Sequence, residues 1–517
     1  MKSPIIIGTR GSKLALWQAH YTRRILEQLS YNVKLNIIVT KGDRVTLSFN
    51  KIEGKGFFTK EIEEALLNES IDLAVHSYKD LPTVSPDGLI IGANSYREDP
   101  SDWLIIKKDA SVPQKVLSLK TGAVVGTSSA RRKAQLLALR PDLQLKDIRG
   151  NVPTRLNKIG SDYDAVVLAA AGLKRLELDL SQHIVVPLSV LNCVPAPAQG
   201  VLAFQIRAND ERMKTVVAHL NNEAVATTVA VERCILNRLG GGCQQPIGVY
   251  CRKDANNNYL VWASVAESWN AMPKRIFVQG KDPDLLVEQV LTALNDKQNK
   301  RIFISRAIGE SDYFKRYLSH FKHEVYATSL LEFSSVTLNG MPQTDWVFFS
   351  SKNGVKYFVA KYKDKMQHLQ LAVIGSGTQK ALEQHGLSPH FVGTDSDDVA
   401  TIAQQFATLA EGKKVLFPQA EQSMQTIQKT LGKRIHSINL VVYKNKIVKQ
   451  FDIPPCDILV FTSPMNLQAY CNKYHIAAHQ KIVAIGKSTA AALVKLGYNN
   501  YILPYAHDEL SLADVCF

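Results

Sequence analysis

The sequence of 517 residues has no long hydrophobic run. Its longest apolar stretch covers residues 165–173, far short of the ~20 residues that a membrane-spanning helix needs. Near the N-terminus, Arg10 interrupts an apolar run of only a few residues, which argues against a secretory signal of the usual length. We therefore expect a cytoplasmic protein that does not enter the membrane.

Paired cysteines are also absent. The seven cysteines are odd in number, no CxxC pair occurs, and no Cys/His cluster has zinc-finger spacing. We interpret most of them as reduced thiols in the core and expect no metal ion. Cys243 is the exception, because three glycines precede it.

Basic residues form no block, although the formal net charge is +15. Lys and Arg never occur in a run of five or more, and no helix-turn-helix, zinc or RNP-like signature is present. These absences argue against a nucleic-acid-binding protein. Two interpretations stay open: a solvated basic surface, or arginines that converge on a polyanionic small molecule.

What is present, over the first 210 or so residues, is an alternation of short apolar strands with amphipathic helices, which is typical of α/β units. The strands are predicted at 5–10, 35–40, 72–77, 123–128 and 164–170, and the helices over 12–29 and 59–67 and from 130 and 153. Two such sets join near 99–103, which predicts two lobes with a cleft between them. Ligands of such sheets bind beyond the carboxyl ends of the strands.

The pattern changes after about residue 217. A strand is predicted over 260–267 between helix-like stretches, and an amphipathic helix over 283–296. The polar segment 296–301 resembles a linker. Strands and helices then alternate again, and segments 347–355 and 460–467 are alike, as are 372–382 and 484–493. This repetition predicts two further α/β lobes, again with a cleft.

Four predicted strand-to-helix junctions carry arginine. In GTSSARR (126–132) a strand runs into Ser128 and Ser129, and Arg131 and Arg132 open the next helix. Backbone N–H groups, hydroxyls and guanidiniums in this arrangement bind carboxylates or phosphates. The other junctions supply Arg10 and Ser12, Arg149 and Arg155, and Arg175. One such junction is weak, since arginine in a first helical turn often lies at the surface. Four junctions at strand ends should face one cleft and bind a ligand with many carboxylates.

Two further motifs carry reactive side chains. In HSYKDLPT (76–83), Asp80 follows Lys79 at a strand end. Such a carboxylate is often a cap or turn former, but beside a cleft it could bind ring N–H groups and stabilise a developing cation. In LGGGCQQPIG (239–248), the glycines leave the thiol of Cys243 uncrowded, which suits covalent attachment. A lone cysteine is otherwise more often a small core residue.

The N-terminal part, to about residue 297, resembles porphobilinogen deaminase, also called hydroxymethylbilane synthase. The resemblance rests, in order, on GTRGSKLALWQAHY, IEGKGFFTKEIEEALL, LAVHSYKDLPT, REDPSDWL, VGTSSARRKAQL, IRGNVPTRL, AAAGLKRL and GGGCQQPIG. It implies a dipyrromethane cofactor, built from the enzyme's own substrate and held by Cys243 through a thioether. It also implies that Asp80 is the catalytic carboxylate, that Lys79 assists it, and that residues 52–58 form a mobile loop over the cleft.

The same resemblance assigns the residues that bind the cofactor, the substrate and the growing chain. Cofactor binding would involve Lys79, Asp80, Ser128, Ser129, Arg131 and Arg132. Substrate binding would involve Arg10, Ser12, Gln18, Thr127, Arg149, Arg155, Arg175 and Gln199. Porphobilinogen would lose ammonia to give an azafulvene cation that Asp80 supports, and each added ring brings two carboxylates to the arginine lining. The chain departs from the family at Ala198, where glycine is usual, and at Gln245.

Residues from about 300 to 517 resemble uroporphyrinogen-III synthase. The matching stretches are FFSSKNGV, IGSGTQKAL, VLFPQAEQSMQTIQKTL, VVYKN, FTSPMNL and AIGKSTAAALVKLGY. The resemblance implies a cleft with Ser351, Thr378, Ser463 and Thr489 as substrate-binding residues. Tyr443 would assist loss of the terminal hydroxyl of hydroxymethylbilane, although a tyrosine at a strand end is more often a packing residue.

Together these observations predict an α/β protein that converts porphobilinogen through hydroxymethylbilane to uroporphyrinogen III, as a monomer. The N-terminal part would have two periplasmic-binding-protein-like lobes, 1–98 with 200–216 and 103–195, and a small α+β domain, 217–297, that carries the cofactor. The C-terminal part would have two Rossmann-like lobes, 300–328 with 446–517 and 329–445. Two alternatives stay open: a periplasmic-type anion-binding module, and a deaminase whose C-terminal half is a non-catalytic scaffold.

Overall fold

The computed structural model describes residues 3–40, 59–113, 115–241, 245–310, 312–393 and 399–517. The chain divides into two compact units, residues 1–296 and 297–517, and the boundary falls in the polar segment predicted as a linker. Both units are mixtures of helices and sheets, which confirms the α/β class. None of the described helices combines the length and the apolar character that a bilayer crossing needs.

The first unit contains thirteen described strands and eight described helices. The strands are β1 (Ile5–Thr9), β2 (Val33–Ile37), β3 (Leu73–Ser77), β4 (Leu89–Asn94), β5 (Asp102–Lys107), β6 (Val124–Gly126), β7 (Gln144–Lys146), β8 (Ala165–Ala169), β9 (His183–Leu188), β10 (Leu202–Arg207), β11 (Ile247–Lys253), β12 (Tyr259–Val265) and β13 (Lys274–Gly280). The helices are α1 (Lys13–Gln28), α2 (Lys60–Leu67), α3 (Ala130–Leu139), α4 (Val152–Leu156), α5 (Ala170–Arg175), α6 (Glu211–Ala218), α7 (Glu223–Arg238) and α8 (Pro283–Asn295).

Two five-stranded sheets of the first unit share one design. The first has the order β2-β1-β3-β10-β4, and the second has the order β7-β6-β8-β5-β9. In each sheet one strand runs antiparallel to both of its neighbours, β10 in the first and β5 in the second. The chain passes between the sheets twice, after β4 and again between β9 and β10. These two connections bring residues 95–101 and 189–201 close to the ends of the strands that carry the predicted site.

A three-stranded antiparallel sheet, β11-β12-β13, follows. The strand predicted over 260–267 is observed as β12, and α8 lies where the closing helix was predicted. The sequence analysis did not predict β11 and β13, the two strands that separate β12 from the helices α7 and α8. Both carry basic residues, among them Arg252 and Arg275, which obscure the apolar signal of a strand.

The second unit contains ten described strands and eight described helices. The strands are β14 (Arg301–Ile304), β15 (Glu324–Ala327), β16 (Leu331–Ser335), β17 (Trp346–Phe349), β18 (Gln370–Ile374), β19 (Phe391–Gly393), β20 (Lys414–Ala420), β21 (His436–Ile447), β22 (Ile458–Phe461) and β23 (Lys481–Ala484). The helices are α9 (Tyr313–His320), α10 (Lys352–Tyr362), α11 (Gly375–Glu383), α12 (Val399–Ala410), α13 (Thr426–Leu431), α14 (Pro464–Cys471), α15 (Lys487–Lys495) and α16 (Glu509–Asp514).

These strands form a parallel four-stranded sheet, β15-β14-β22-β23, and a six-stranded sheet, β16-β21-β20-β17-β18-β19, in which β16 is antiparallel to β21. The central strands β17 and β22 are apolar runs buried on two faces, as parallel strands inside a sheet require. Phe303 and Phe461 pack in the core of the first sheet, and Phe349 and Phe358 in that of the second. The carboxyl ends of β17, β22 and β23 lead into helices with a hydroxyl side chain at the N-cap or in the first turn.

Candidate functional site

The centre of the predicted N-terminal site is a buried carboxylate, Asp102, at the start of β5. Its Oδ2 accepts from Arg131 Nη1 at 2.8 Å, and its Oδ1 accepts from Arg132 Nη2 at 2.7 Å and Nε at 3.1 Å. The Asp102 side chain is 0% exposed, so the pairing is shielded from water. Burial alone would raise the pKa of Asp102, but the two guanidiniums outweigh it and hold that pKa well below its usual value.

The two arginines are positioned by the junction between β6 and α3. Ser129 is the N-cap of α3, and its Oγ accepts from the backbone N of Arg132 at 3.4 Å. Ser128 Oγ accepts from Ile148 N at 3.0 Å and donates to Ile148 O at 2.8 Å, which joins this junction to the loop of Arg149. The local sequence therefore directs Arg131 and Arg132 from the first turn of α3 toward the start of β5.

Lys79 approaches the same carboxylate through an amide. It lies in the short 3₁₀ turn Tyr78–Asp80 that follows β3, and its Nζ donates to Gln199 Oε1 at 3.3 Å. Gln199 Nε2 in turn donates to Asp102 Oδ1 at 3.0 Å and to Pro100 O at 2.7 Å. Burial lowers the pKa of Lys79, and the negative charge of Asp80 opposes that shift. Gln199 thus connects the turn after β3 with the start of β5.

Two more arginines of the predicted site, Arg155 and Arg175, line a cavity together with Lys79 and Arg132. Arg155, in α4, donates from Nε to Gly150 O at 2.7 Å. Arg175, at the end of α5, donates from Nη2 to Gly200 O at 2.7 Å and lies over the Trp17 ring at 5.5 Å. Burial lowers the pKa of both guanidiniums. Arg175 Nε is buried with no hydrogen-bond partner in the described structure.

These side chains line one cavity, here called the cationic cavity. Its polar lining consists of Ser77, Lys79, Arg132, Arg155, Arg175 and Gln199. Four cationic groups and an unsatisfied buried N–H are a donor set that suits several carboxylates and no metal cation. Within the described residues, no three His, Cys, Asp or Glu side chains come together as metal ligands would.

Other predicted residues lie around this cavity rather than in its lining. Gln18 donates from Nε2 to Ser77 Oγ at 2.8 Å, and Ser12 caps α1 by accepting from Ala15 N at 3.3 Å. Asp80 and Arg149 are exposed, Thr127 is buried, and Arg10 is half-buried at the end of β1. Arg131 also donates to Val194 O at 2.9 Å. Cys243 and the predicted loop 52–58 lie outside the described residues.

Sequence reasoning missed two buried acids. Asp102 had one visible signal, since an acidic residue opens an otherwise apolar strand. Glu232, in α7, is also 0% exposed and forms a bidentate pair with Arg97 at 2.7 and 2.8 Å. Its carboxylate accepts as well from Ala198 N at 2.7 Å and Cys251 N at 2.8 Å, so it joins three segments. Acids in an apolar setting need cationic partners, but the sequence does not say which ones.

Ala198, the departure from the family, lies in this junction with φ at +60°. That left-handed conformation normally favours glycine. Its N–H bond to Glu232 and its complete burial hold the alanine there. This departure from the family lies next to Gln199 and adds no polar group to the cationic cavity.

In the second unit, Ser351 and Tyr443 come together. Ser351 is the N-cap of α10, where its Oγ accepts from Gly354 N at 3.0 Å, and it lies 3.4 Å from the hydroxyl of Tyr443 on β21. The Tyr443 ring stacks on Tyr357 with a centroid distance of 5.4 Å. Burial raises the pKa of Tyr443, and the hydrogen bond to Ser351 opposes that shift.

The other three predicted residues of this unit are placed at helix starts or inside a helix. Ser463 caps α14 by accepting from Asn466 N at 3.2 Å. Thr489 lies in the first turn of α15, fully buried, with no hydrogen-bond partner for its Oγ1 in the described structure. Thr378 is buried in α11. Ser463 and Thr489 follow strands of the four-stranded sheet, whereas Ser351, Thr378 and Tyr443 belong to the six-stranded sheet.

Comparisons with known proteins agree with both resemblances. Residues 5–215 match the family model of the porphobilinogen deaminase dipyromethane cofactor binding domain, and 226–281 match that of the porphobilinogen deaminase C-terminal domain. Residues 312–514 match the uroporphyrinogen-III synthase HemD model. The first match confirms the expected dipyrromethane cofactor.

Relatives include the porphobilinogen deaminases of Bacillus thuringiensis (strain Al Hakam) and Bacillus anthracis. Each is 43% identical over 310 residues, which are 59% of this chain and 99% of the relative. A crystal structure of uroporphyrinogen-III synthetase from Helicobacter pylori 26695 is similar at 21% identity and a TM-score of 0.32, over 42% of this chain and 97% of that chain. The family-model matches and the deaminase relatives show that the chain belongs to the porphobilinogen deaminase family in its N-terminal unit and continues as a uroporphyrinogen-III synthase, so that it is a bifunctional enzyme of tetrapyrrole biosynthesis.

Proposed function

We propose that the cationic cavity is where porphobilinogen units are joined, with Asp80 as the catalytic carboxylate at its edge. The observation that carries this proposal is the convergence of Lys79, Arg132, Arg155 and Arg175 on one cavity in the unit that matches the deaminase models. Porphobilinogen and the growing chain are rich in carboxylates, and guanidiniums bind carboxylates through paired hydrogen bonds.

Asp80 follows Lys79 in the turn after β3 and contributes a negative charge at the edge of this positive lining. Loss of ammonia from porphobilinogen leaves an azafulvene cation, and a fixed carboxylate stabilises that charge as it develops. The pyrrole N–H groups are donors that the same carboxylate accepts. Lys79 binds an acid side chain of the cofactor or of the ring being added, which keeps the reacting ring beside Asp80.

The dipyrromethane fits this wall, because Arg175 Nε is buried and unsatisfied and the lining offers four cations. We propose that Lys79, Arg132, Ser128 and Ser129 hold its acid side chains and that Cys243 carries it through a thioether. When bound, the cofactor supplies the free α-carbon to which the first substrate ring is joined. Arg131, Arg10, Arg149 and Arg155 are then left to position the cofactor site and the later rings.

For the second unit, we propose that hydroxymethylbilane lies against Ser351, Thr378, Ser463 and Thr489, with Tyr443 near its terminal hydroxyl. The contact of Tyr443 with Ser351 supports this role, because Ser351 Oγ orients the phenol. Burial keeps Tyr443 protonated by raising its pKa, so the phenol is available as a donor to the departing hydroxyl.

We propose the lobe boundaries given by the sequence patterns: 1–98 with 200–216, 103–195, and 217–297 in the deaminase, and 300–328 with 446–517 and 329–445 in the synthase. The supporting observation is that each proposed segment contains the strands of one sheet, such as β1 to β4 with β10 in the first. The first two lobes would be periplasmic-binding-protein-like and the last two Rossmann-like. We further propose that the enzyme acts in the cytoplasm as a monomer on these small molecules alone.

The decisive experiment is incubation of the full chain with porphobilinogen, followed by identification of the product isomer and measurement of the intact mass. We expect uroporphyrinogen III as the main product and a mass excess of one dipyrromethane, absent from the Cys243→Ser variant. Spontaneous closure of hydroxymethylbilane gives the series I isomer instead. Series I as the main product would contradict an active synthase and favour the scaffold alternative. An unmodified mass in fully active protein would contradict the role of Cys243.

A further inference from the structure

Asp102 does not line the cationic cavity, but it is hydrogen-bonded to two residues that do, Arg132 and Gln199. Its two oxygens receive hydrogen bonds from Arg131, Arg132 and Gln199, and the thiol of Cys193 lies 3.5 Å from Oδ2. The side chain is 0% exposed and both of its oxygens already accept from arginine, so the carboxylate is not available to the substrate. A carboxylate of this kind acts through the groups that it holds.

The contacts of Arg132 show what is held. Its Nε and Nη2 both bind Asp102 Oδ1, at 3.1 and 2.7 Å, and its Nη1 donates to Val167 O at 2.8 Å. These bonds fix the plane of the guanidinium while the side chain still lines the cavity. Asp102 also orients Lys79, through Gln199. Gln199 Nε2 donates to Asp102 and to Pro100 O, and Gln199 Oε1 accepts from Lys79 Nζ at 3.3 Å. One buried anion therefore orients both cations.

We infer that Asp102 is a positioning residue of the deaminase, which holds Arg132 directly and Lys79 through Gln199 in the orientation that receives the carboxylates of cofactor and substrate. This inference rests on the proposed function of the cationic cavity. It also gives the two adjacent arginines, Arg131 and Arg132, different roles. Arg131 completes the buried cluster, with bonds to Asp102 and Val194 O, while Arg132 faces the ligand.

The charge of Asp102 has a second effect, on Lys79. The charged groups that act on Lys79 are Asp80 in its own turn, Asp102 on β5, and Arg131 and Arg132 on α3. Burial and the two arginines lower the pKa of Lys79, whereas Asp80 and Asp102 raise it. Removal of the Asp102 charge leaves one opposing anion, so Lys79 loses its proton at a lower pH. Since only protonated Lys79 binds a carboxylate, binding then weakens at a lower pH than in the wild type.

The test is Asp102→Asn in the full chain, compared with Cys193→Ala, which removes a neighbour of the same carboxylate but no charge. We expect the KM for porphobilinogen to rise about tenfold or more in Asp102→Asn, because charge-assisted hydrogen bonds to Arg132 are lost. The alkaline rise of KM should shift to lower pH, kcat should fall less than KM rises, and part of the purified protein should lack the dipyrromethane mass. Cys193→Ala should keep the wild-type KM, pH profile and mass.

If Asp102→Asn folds and has the same KM, pH profile and mass as Cys193→Ala, the inference is wrong. The mass and the product of the wild-type enzyme would still support the proposed function. If Asp102→Asn does not fold, the double variant Asp102→Asn, Arg131→Met carries the test, since it removes one charge of each sign. In it the pH profile should return toward the wild type, while KM stays raised because Arg132 has lost its anchor. A wild-type KM in the double variant, or its failure to fold while Cys193→Ala folds normally, would overturn the positioning role.

Discussion

The two units of this enzyme differ in the polar groups that they bury near the proposed sites. The deaminase unit buries charges in pairs: Asp102 with Arg131 and Arg132, and Glu232 with Arg97, where the acids are 0% exposed. The synthase unit presents hydroxyls, with Ser351 and Ser463 as helix N-caps and Tyr443 at a strand. Its pair between Arg306 and Glu509 is much more open, with side chains 25% and 28% exposed.

The difference follows from the two reactions. The deaminase adds rings one by one, and each ring brings further carboxylates, so its cations must be fixed in place before the chain grows. The synthase receives a finished chain and has to remove one hydroxyl and direct one closure. We propose that neutral hydroxyls and backbone N–H groups assist that step. Mutations that remove charge should therefore be severe in the first unit, and mutations that remove hydroxyls should be mild in the second.

The largest effect is expected for Asp80→Asn. An amide keeps the size of the side chain but cannot offset a developing cation, so ammonia release should slow about a thousandfold. Asp87→Asn, an exposed acid of the same loop, should leave the rate unchanged. Single-turnover ammonia release measures both variants. A loss below about tenfold for Asp80→Asn would show that another group stabilises the cation.

The next effect is on stability. Arg97→Met leaves Glu232 buried without its guanidinium, although the N–H groups of Ala198 and Cys251 remain, and should cost about 3 kcal/mol or more. Lys174→Met removes pairs with Glu98 and Asp99 in which the lysine is 42% exposed, and should cost less than about 1 kcal/mol. Urea unfolding of the full chain measures both. Equal costs would mean that burial does not distinguish these pairs.

Tyr443→Phe tests the synthase unit. Loss of one hydroxyl donor should slow cyclisation about tenfold, and the product should shift toward series I while porphobilinogen consumption stays unchanged. Tyr357→Phe is the matched control, because Tyr357 stacks on Tyr443 but is not the ring that contacts Ser351. Chromatographic separation of the isomers measures the shift. An unchanged series III fraction in Tyr443→Phe would show that Tyr443 is a packing residue.

Local signals made much of the fold predictable. The strands at β1, β3 and β8 are apolar runs bounded by turns, and Ser12 and Ser129 begin their helices as N-caps. The arginine junctions were predictable for the same reason, because strand end, cap and arginine lie within a few residues. β11 and β13 were missed because each carries two adjacent basic residues, Arg252 and Lys253 at the end of β11 and Lys274 and Arg275 at the start of β13. Of these four side chains only Arg275 is buried.

The buried anion behind the cationic cavity, Asp102, was not predictable, because its bonds join distant parts of the chain. Asp102 is 29 residues from Arg131 and 97 residues from Gln199. A motif can show that arginines gather at strand ends, but only the sheet order β6-β8-β5 shows that they meet the start of β5. In the synthase unit, Ser351 and Tyr443 are 92 residues apart, and the resemblance, not spacing, brought them together.

The smallest effect is expected for Thr489→Val, which separates stability from function in the synthase unit. Thr489 is fully buried, and its Oγ1 has no partner in the described structure, so an isosteric valine should stabilise the protein by about 1 kcal/mol. Ser511 is a matched control, since its Oγ is buried and unsatisfied as well but lies outside the proposed site. Thermal unfolding should show this gain in stability in Thr489→Val, while its series III fraction falls and that of Ser511→Ala does not. A hydroxyl kept at a cost to stability is expected where it binds substrate. If Thr489→Val gained stability and kept its full series III fraction, the synthase site would have to be built without Thr489.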